Sequence, residues 1–272
     1  MSKLLTAPIS VIIPCFRCAL TIKRAVDSVL SQNLLPFEII LVDDCSQDGT
    51  LAMLQILEQA HPDQVKIVKM VINKGAASAR NAGWAAATQP YIAFLDADDA
   101  WHSRKIEIQY AYMIENSDVV LCGHGYRQLQ LNALPDWNVI HSNARQIKKW
   151  DLILSNRFVT PSVMVRRDIE QRFLEDQRYM EDHMLWLEII CNGGHVSKIT
   201  SELAAIYKYS FGVKGLSSQL WLMERGDLGN YRRLYNTKYI NGCQFYALCS
   251  YSLLKYIRRL FIYCIYHWRR GK

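Results

Sequence analysis

Three aspartates, at residues 96, 98 and 99, follow the apolar run YIAFL. Carboxylates this close repel one another unless a cation lies among them or water screens them. Hard divalent cations such as Mg²⁺ or Mn²⁺ prefer oxygen ligands and commonly take one or two carboxylates together with substrate phosphates. The segment therefore predicts a metal site built on Asp96 and Asp98, a phosphatase nucleophile or an ordinary acidic turn. The phosphatase pattern needs threonine or valine where Ala100 stands, which disfavours that interpretation.

A second acidic pair, Asp43 and Asp44, ends the apolar run FEIILV. Such acids can cap a following helix, although Ser46 or Asp48 would be enough for that. A carboxylate at a strand end can also accept hydrogen bonds from a nucleotide base or a ribose hydroxyl. G-x-G-x-x-G is absent after the first predicted strand, and G-x-x-x-x-G-K-[ST] is absent from the sequence. These absences argue against a typical dehydrogenase and a P-loop enzyme.

The segment NKGAASARN, residues 73–81, combines Gly75, a row of small residues and Arg80. Small residues let the backbone approach a ligand closely, and arginine forms paired hydrogen bonds with diphosphate oxygens. Arg80 can equally form a structural ion pair with one of the nearby acids. The sequence leaves both interpretations open.

Glu181 and Asp182 open a predicted amphipathic helix over residues 179–194. Acids are common in the first turn of a helix because they complement its dipole. A positioned carboxylate can also take the proton of a weak nucleophile such as a hydroxyl group. The pair alone does not distinguish these roles.

Strands and helices alternate four times in the first hundred residues, and this alternation positions most of the candidate residues. The predicted strands are 9–16, 37–44, 65–72 and 91–99, and the predicted helices are 19–32, 50–60 and an alanine-rich helix within 73–88. Such alternation is typical of a parallel sheet with right-handed crossovers. Ligands of these sheets bind beyond the carboxyl ends of the strands, where the motifs around Asp44, Arg80 and Asp96 all lie.

After residue 118 the pattern loosens. Residues 118–129 and 159–169 predict further strands, the second with a proline near its start, and the stretch between them predicts loop and helix. No repeat or low-complexity linker interrupts the chain, so residues 1–205 are expected to form one folded unit with two halves.

Composition favours a globular protein, since half of the 272 residues are hydrophobic and about a fifth are charged. The N-terminus has no separate apolar core followed by a small-residue cleavage site, which predicts a cytoplasmic protein. Cys15 and Cys18 form a C-x-x-C without a second cysteine or histidine pair nearby, so we interpret them as small buried side chains.

The positive charge lies in the tail. Residues 201–272 contain 12 Lys/Arg against 3 Asp/Glu, and residues 1–200 contain 20 against 22. The segment 245–272 is apolar but interrupted by basic residues, so it is not expected to span a bilayer. At helical spacing, one face carries Tyr246, Ser250, Leu253, Ile257, Leu260, Phe261, Cys264 and Trp268, and the opposite face carries Lys255, Arg258, Arg259, Arg269 and Arg270. Such a helix suits the surface of an anionic membrane leaflet, or it packs its stripe onto the rest of the protein.

The segments SVIIPCF, EIILVDDCSQDGT, NKGAASARNAG, FLDADDAW and MEDHMLW occur in an order that resembles family 2 glycosyltransferases. The resemblance covers roughly residues 8–210, and the five motifs together are far more specific than any one of them. His102-Ser103 departs from the proline usual after the tryptophan. The resemblance implies an inverting enzyme with a GT-A fold, a nucleotide-sugar donor and a divalent cation, Mn²⁺ or Mg²⁺.

It also implies roles for individual residues. Pro14 and Phe16 match the part of the first strand that borders the base, and Asp44 matches the acid that contacts the base. Arg80 matches the arginine of the family's A-R-N loop. Asp96 and Asp98 match the D-x-D, with Asp96 near the ribose and Asp98 on the metal. Asp182 matches the general base.

The expected fold is α/β, with a GT-A-like, mostly parallel central sheet flanked by helices and a C-terminal amphipathic helical extension. Residues 1–100 are expected to bind the nucleotide sugar, 101–205 the acceptor, and 206–272 to form a loop and the basic helical tail. The expected location is the cytoplasmic face of the inner membrane.

The expected function is sugar transfer from a donor, usually UDP-linked, to a saccharide or lipid-linked saccharide acceptor in cell-surface polysaccharide or lipopolysaccharide synthesis; no nucleic acid is expected as a partner. Two alternatives are a sugar nucleotidyltransferase and a non-catalytic, membrane-associated nucleotide-sugar-binding protein. The first is disfavoured because PCFRCALTIK stands where its glycine-rich phosphate loop would be.

Overall fold

A computed structural model describes residues 6–131, 133–137, 143–207 and 219–270, with the backbone alone for 264 and 266–270. The strands in these ranges are β1 (Thr6–Cys15), β2 (Leu35–Asp43), β3 (Val65–Lys69), β4 (Tyr91–Phe94), β5 (Ala100–Trp101), β6 (Val119–Leu129), β7 (Ala144–Gln146), β8 (Met164–Arg166) and β9 (His195–Tyr207). The α-helices are α1 (Ile22–Leu30), α2 (Thr50–Ala60), α3 (Ala76–Ala86), α4 (Lys105–Glu115), α5 (Lys149–Leu154), α6 (Glu181–Cys191), α7 (Leu220–Asn236) and α8 (Gly242–Arg270).

The first four strands lie side by side in the order β3-β2-β1-β4, and every neighbouring pair is parallel. Helix α3 packs unusually close to this sheet at Gly83. A Cβ there would lie 2.5 Å from Ile12 Cγ2 and 3.0 Å from Val42 Cγ2, so only glycine allows this approach. The close packing holds Arg80, one turn earlier on α3, over the carboxyl ends of the strands.

The other strands extend the same sheet in a mixed arrangement. β8 pairs antiparallel with β4 and β6, β9 pairs parallel with β6, and β5 and β7 pair antiparallel with β9. The α/β class, the central sheet flanked by helices and the C-terminal helices are therefore as predicted, with the parallel pairing concentrated in the first half.

Several elements differ from the sequence prediction: β9 was not predicted, and the strand expected over 91–99 ends at Phe94. The strand expected over 159–169 is a 3-10 turn, Thr160–Ser162, followed by the three-residue β8. Pro161 lies in that turn, and proline cannot donate a hydrogen bond to a strand ladder. Helix α7 was not predicted; it buries Tyr231 and Leu234 in the same core as α6. No described helix combines the length and apolar character that a membrane crossing requires.

Candidate active site

The carboxyl ends of β1, β2 and β4 meet the N-terminus of α6 at one edge of the sheet. Arg80 joins two of these elements. Its Nη2 donates to Asp96 Oδ1 at 2.8 Å, and its Nη1 donates to Glu181 Oε1 at 3.1 Å. The guanidinium also lies over the Phe173 ring, 5.3 Å from the centroid. The structure therefore shows the ion-pair alternative for Arg80, and its contact with a diphosphate stays a prediction.

Burial and ion pairing act in opposite directions on Arg80. The Arg80 side chain is only 6% exposed. Burial would lower its pKa, but the charges of Asp96 and Glu181 outweigh that effect and the pKa of Arg80 is raised. A buried guanidinium with two carboxylate partners is a fixed positive charge that connects the strand end to α6.

Glu181 is the acid most strongly perturbed in the cluster. Burial and the charge of Asp182 together raise its pKa to about 7, against the opposing charge of Arg80. The two acids of the first turn of α6 therefore have different surroundings, since Glu181 forms an ion pair with Arg80.

This perturbation predicts a pH dependence of stability. Glu181 titrates near pH 7 in the folded protein and near its ordinary value of 4.5 when unfolded. Between these values the folded state binds more protons, so the free energy of unfolding falls as pH rises, by at most about 1.4 kcal/mol per pH unit. Urea unfolding of the metal-free protein from pH 5 to 7.5 should show this fall. In Glu181→Gln, the difference between the free energies of unfolding at pH 5 and pH 7.5 should be smaller by about 1–3 kcal/mol. If the free energy of unfolding changes with pH equally in both proteins, the raised pKa of Glu181 is wrong.

Asp182 faces a different set of partners. Its Oδ2 accepts from Thr160 Oγ1 at 3.2 Å, and its Oδ1 accepts from the backbone N–H of His183 at 2.6 Å. Thr160 belongs to the 3-10 turn before β8, so a second element orients this carboxylate. No local sequence pattern indicates a role for Thr160, because its contact with Asp182 spans 22 positions.

Asp44 is buried and organises a loop. Its Oδ1 accepts from the backbone N–H of Lys74 at 2.8 Å, and its Oδ2 accepts from that of Gly75 at 2.7 Å. Gly75 has φ +88°, a left-handed conformation that favours glycine. Each carboxylate oxygen has a second lone pair, so these bonds are compatible with the predicted base contact, which stays a prediction.

The other predicted donor residues lie at the same edge. Pro14 pairs in register with Val42 near the end of β1. Phe16, just beyond that strand, is 45% exposed and has the Arg17 guanidinium 5.2 Å from its ring centroid. An exposed aromatic ring at the end of a parallel strand is able to stack on a planar base.

The acids of D-A-D-D separate into three environments. Asp96 pairs with Arg80, Asp98 is exposed, and Asp99 is buried. Asp99 Oδ1 accepts from the backbone N–H of Tyr207 at 2.9 Å. Asp99 therefore fastens the end of β9, which lies beside β5.

No group of three or more His, Cys, Asp or Glu within the described ranges is arranged to hold a metal ion. The exposed Asp98 carboxylate, with Asp96 two residues away, still fits a hard cation that brings its remaining oxygen ligands from a diphosphate. The donor set suits Mg²⁺ or Mn²⁺ rather than a softer metal.

Comparison with known proteins identifies the family. The family described as glycosyl transferase family 2 matches residues 10–173. The chain belongs to glycosyl transferase family 2. It is 32% identical over 228 residues to the putative teichuronic acid biosynthesis glycosyltransferase TuaG of Bacillus subtilis (strain 168), which covers 83% of this chain and 88% of TuaG.

Two further comparisons concern this glycosyltransferase. It is 31% identical over 183 residues to the Escherichia coli UDP-Glc:alpha-D-GlcNAc-diphosphoundecaprenol beta-1,3-glucosyltransferase WfgD, covering 67% of this chain and 69% of WfgD. Among solved structures it resembles S. aureus TarS 1-349 in complex with UDP-GlcNAc, with a TM-score of 0.67 and 18% identity over 90% of this chain and 71% of that one. This second likeness shows the GT-A-like fold.

Proposed function

We propose that this glycosyltransferase is inverting and metal-dependent, and that it moves a sugar from a UDP-linked donor to a saccharide acceptor in cell-surface polysaccharide or lipopolysaccharide synthesis. The observation that carries the proposal is the buried bridge from Asp96 through Arg80 to Glu181. It connects a strand end suited to a donor diphosphate with a helix start suited to a general base. The name of WfgD includes a UDP-linked donor and a diphosphoundecaprenol-linked acceptor, which supports a lipid-linked acceptor here.

In this mechanism Asp182 takes the proton of the acceptor hydroxyl as the oxygen attacks the anomeric carbon from the face opposite the leaving diphosphate. The bond from the anomeric carbon to the diphosphate oxygen breaks as the new glycosidic bond forms, so the configuration inverts. Thr160 and the N–H of His183 orient the base. Arg80 keeps a fixed positive charge beside the developing negative charge of the diphosphate. A divalent cation bound through Asp98 supplies further charge stabilisation there.

The two halves of the unit formed by residues 1–205 would bind different substrates. Residues 1–100 would contribute the donor residues Pro14, Phe16, Asp44, Arg80, Asp96 and Asp98. Residues 101–205 would contribute Asp182, which acts on the acceptor. Residues 208–218, part of the loop expected after residue 205, lie outside the described residues.

A donor screen tests the function. Purified protein with Mn²⁺ and a panel of nucleotide sugars should release nucleoside diphosphate, faster when a diphosphate-linked lipid saccharide is present. A sugar nucleotidyltransferase would instead form pyrophosphate from a nucleoside triphosphate and a sugar 1-phosphate. A binding protein would retain the donor intact. If no nucleotide sugar is bound or cleaved, the proposal fails.

We further propose that α8 attaches the enzyme to the anionic cytoplasmic face of the inner membrane. The charged side chains that face the protein are basic: Lys255 Nζ donates to the carbonyl of Leu154 at 3.0 Å, and Arg259 Nη2 donates to Glu224 Oε2 at 3.0 Å. The apolar stripe points outward instead. Its exposed large apolar members are Tyr246 (72%), Leu253 (40%), Ile257 (59%) and Phe261 (67%), and the exposed Leu254 (66%) lies beside them.

The exposed charges around this stripe support an anionic partner. Over residues 219–265 the acids are Glu224 and Asp227, and both are buried. The exposed charged residues of the same range are all basic: Arg225, Arg232, Arg233, Lys238 and Arg258. An apolar stripe with only positive charge around it complements an anionic lipid surface. The side chains of Cys264, Trp268, Arg269 and Arg270, and all of Lys272, lie outside the described residues.

Ile257→Glu tests this attachment. It places a negative charge in the stripe, so partitioning to vesicles with anionic lipid should fall about 10- to 100-fold, from lost apolar burial and added repulsion. Ile56→Glu on α2 is a matched control, since Ile56 is 58% and Ile257 59% exposed. Co-sedimentation with phosphatidylglycerol vesicles measures the effect. Equal losses of vesicle binding for both variants, or no loss for either, would contradict membrane attachment through α8.

A further inference from the structure

The start of α6 is held in an unusual backbone conformation. Met180, the residue before Glu181, has φ 59° and ψ 22° and is the N-cap of the helix. A residue with a side chain rarely adopts this left-handed region, and it does so persistently only when its surroundings hold it there. The direction in which Glu181 and Asp182 leave the chain therefore depends on what holds Met180.

Helix α7 supplies the hydrogen bonds that hold it. Asn230 is fully buried, and its Nδ2 donates to the Met180 carbonyl at 3.1 Å. Its Oδ1 accepts from Gln177 Nε2 at 2.8 Å, and the same Gln177 nitrogen donates to the Tyr179 carbonyl at 2.8 Å. The buried carboxamide of Asn230 is thus hydrogen-bonded to both Gln177 and Met180, the two ends of the segment that leads into the candidate base.

The backbone of α7 also lies directly against this segment. A Cβ on Gly226 would lie 2.7 Å from the Tyr179 carbonyl oxygen and 3.2 Å from Met180 Cβ. The residue before α7, Gln219, accepts a hydrogen bond from the Tyr179 hydroxyl at 2.7 Å. Residues 219, 226 and 230 therefore each contact Tyr179 or Met180, the two residues before α6.

We propose that Asn230 is a positioning residue for catalysis, and that α7 is part of the catalytic apparatus rather than of a separate tail. Asn230 acts through Met180: it stabilises the left-handed turn, and the turn aims the carboxylate of Asp182 at the acceptor hydroxyl. This inference rests on the proposed role of Asp182 as general base. It assigns a catalytic contribution to a helix that lies outside residues 1–205, where the motifs are.

Asn230→Asp is the first test, because it keeps the size of the side chain and the acceptor for Gln177 but removes the donor to Met180. The kcat for sugar transfer should fall about 10- to 100-fold, since a small misplacement of a catalytic group has effects of this size. The KM for the donor should stay within twofold, because the donor residues are untouched. Hydrogen–deuterium exchange at the backbone N–H groups of residues 183–185 should accelerate, while that of α3 stays unchanged.

Gly226→Ala is the second variant, because it displaces the same segment without burying a charge. It should reproduce the fall in kcat and the local change in exchange. Leu234→Ala, one turn after Asn230 in the core of α7, is the matched destabilising control. If kcat falls as much in Leu234→Ala as in the two test variants, the effect is general destabilisation and the proposal is wrong.

Met180→Gly provides a rescue. Glycine reaches the left-handed region without strain, so adding it to Asn230→Asp should recover at least threefold in kcat. A kcat within twofold of wild type for both test variants would overturn the proposal. If the wild-type enzyme transfers no sugar, the proposed function has failed, and the exchange measurement still decides whether Asn230 holds the start of α6.

Discussion

Replacing Asp182 with asparagine should lower the rate of sugar transfer by about 10²- to 10⁴-fold and leave donor binding unchanged. Asparagine has the shape of aspartate but cannot accept the acceptor's proton. Its Oδ1 can keep the hydrogen bond from the His183 N–H, and the Thr160 hydroxyl can rotate to accept from the new Nδ2. The substitution therefore removes the base while both positioning contacts persist.

The measurement has two parts. Isothermal titration of the donor with Mn²⁺ should give the same Kd for wild type and Asp182→Asn, and a transfer assay should separate them by kcat. Asp176→Asn, at an exposed acid on the loop before α6, makes the same change of charge and should transfer normally. Near-normal transfer by Asp182→Asn would refute its assignment as general base. A weakened donor Kd would indicate instead that its charge contributes to the donor site.

The sequence was sufficient for the first half of the fold because local patterns determine it. Apolar runs such as ISVIIP and FEIILV predicted the buried strands, and the parallel crossovers brought Asp44, Arg80 and Asp96 to one edge. What each acid does there was not predictable. Asp44 holds two backbone N–H groups of a loop 30 residues away, and Arg80 reaches Glu181 across 101 residues. The Asp44 contact depends on how the loop before α3 returns to the end of β2, and the Arg80 contact depends on how the second half of the chain returns to the first. No local sequence pattern records either arrangement.

Helix α8 shows a second limit of prediction from sequence. Helical spacing correctly separated its apolar stripe from Lys255 and Arg259, but the usual expectation is that the apolar face packs inward. Here α7 presents the buried carboxylate of Glu224 to Arg259, and α5 ends at Leu154, whose carbonyl accepts from Lys255. These two acceptors draw the basic side chains inward, so the stripe faces outward. The orientation follows from the partner helices, whose positions the sequence did not provide.

Asp98→Ala should abolish the metal dependence of donor binding. With Mn²⁺ present, the Kd for the donor should rise at least about 100-fold, since even residues that only support a metal ligand commonly change metal affinity 10- to 100-fold. Without Mn²⁺, wild type and Asp98→Ala should bind the donor equally weakly, because the remaining contacts are the same. Asp63→Ala is the matched control: Asp63 is exposed and precedes β3, at the opposite edge of the sheet.

Asp96→Ala should give a different result, and this difference separates the two acids of the D-x-D. Asp96 pairs with Arg80 at 2.8 Å, so its removal leaves a buried guanidinium with Glu181 as its remaining carboxylate partner. Breaking a fully buried ion pair destabilises a protein by about 3–5 kcal/mol. A smaller loss, about 1–3 kcal/mol, is expected here because the Asp96 side chain is 32% exposed and Arg80 keeps Glu181. Asp96→Ala should therefore lower the free energy of unfolding in metal-free buffer, whereas Asp98→Ala, at an exposed side chain, should leave it nearly unchanged. If both variants lose stability equally and keep the metal effect on donor binding, Asp98 is not the metal ligand.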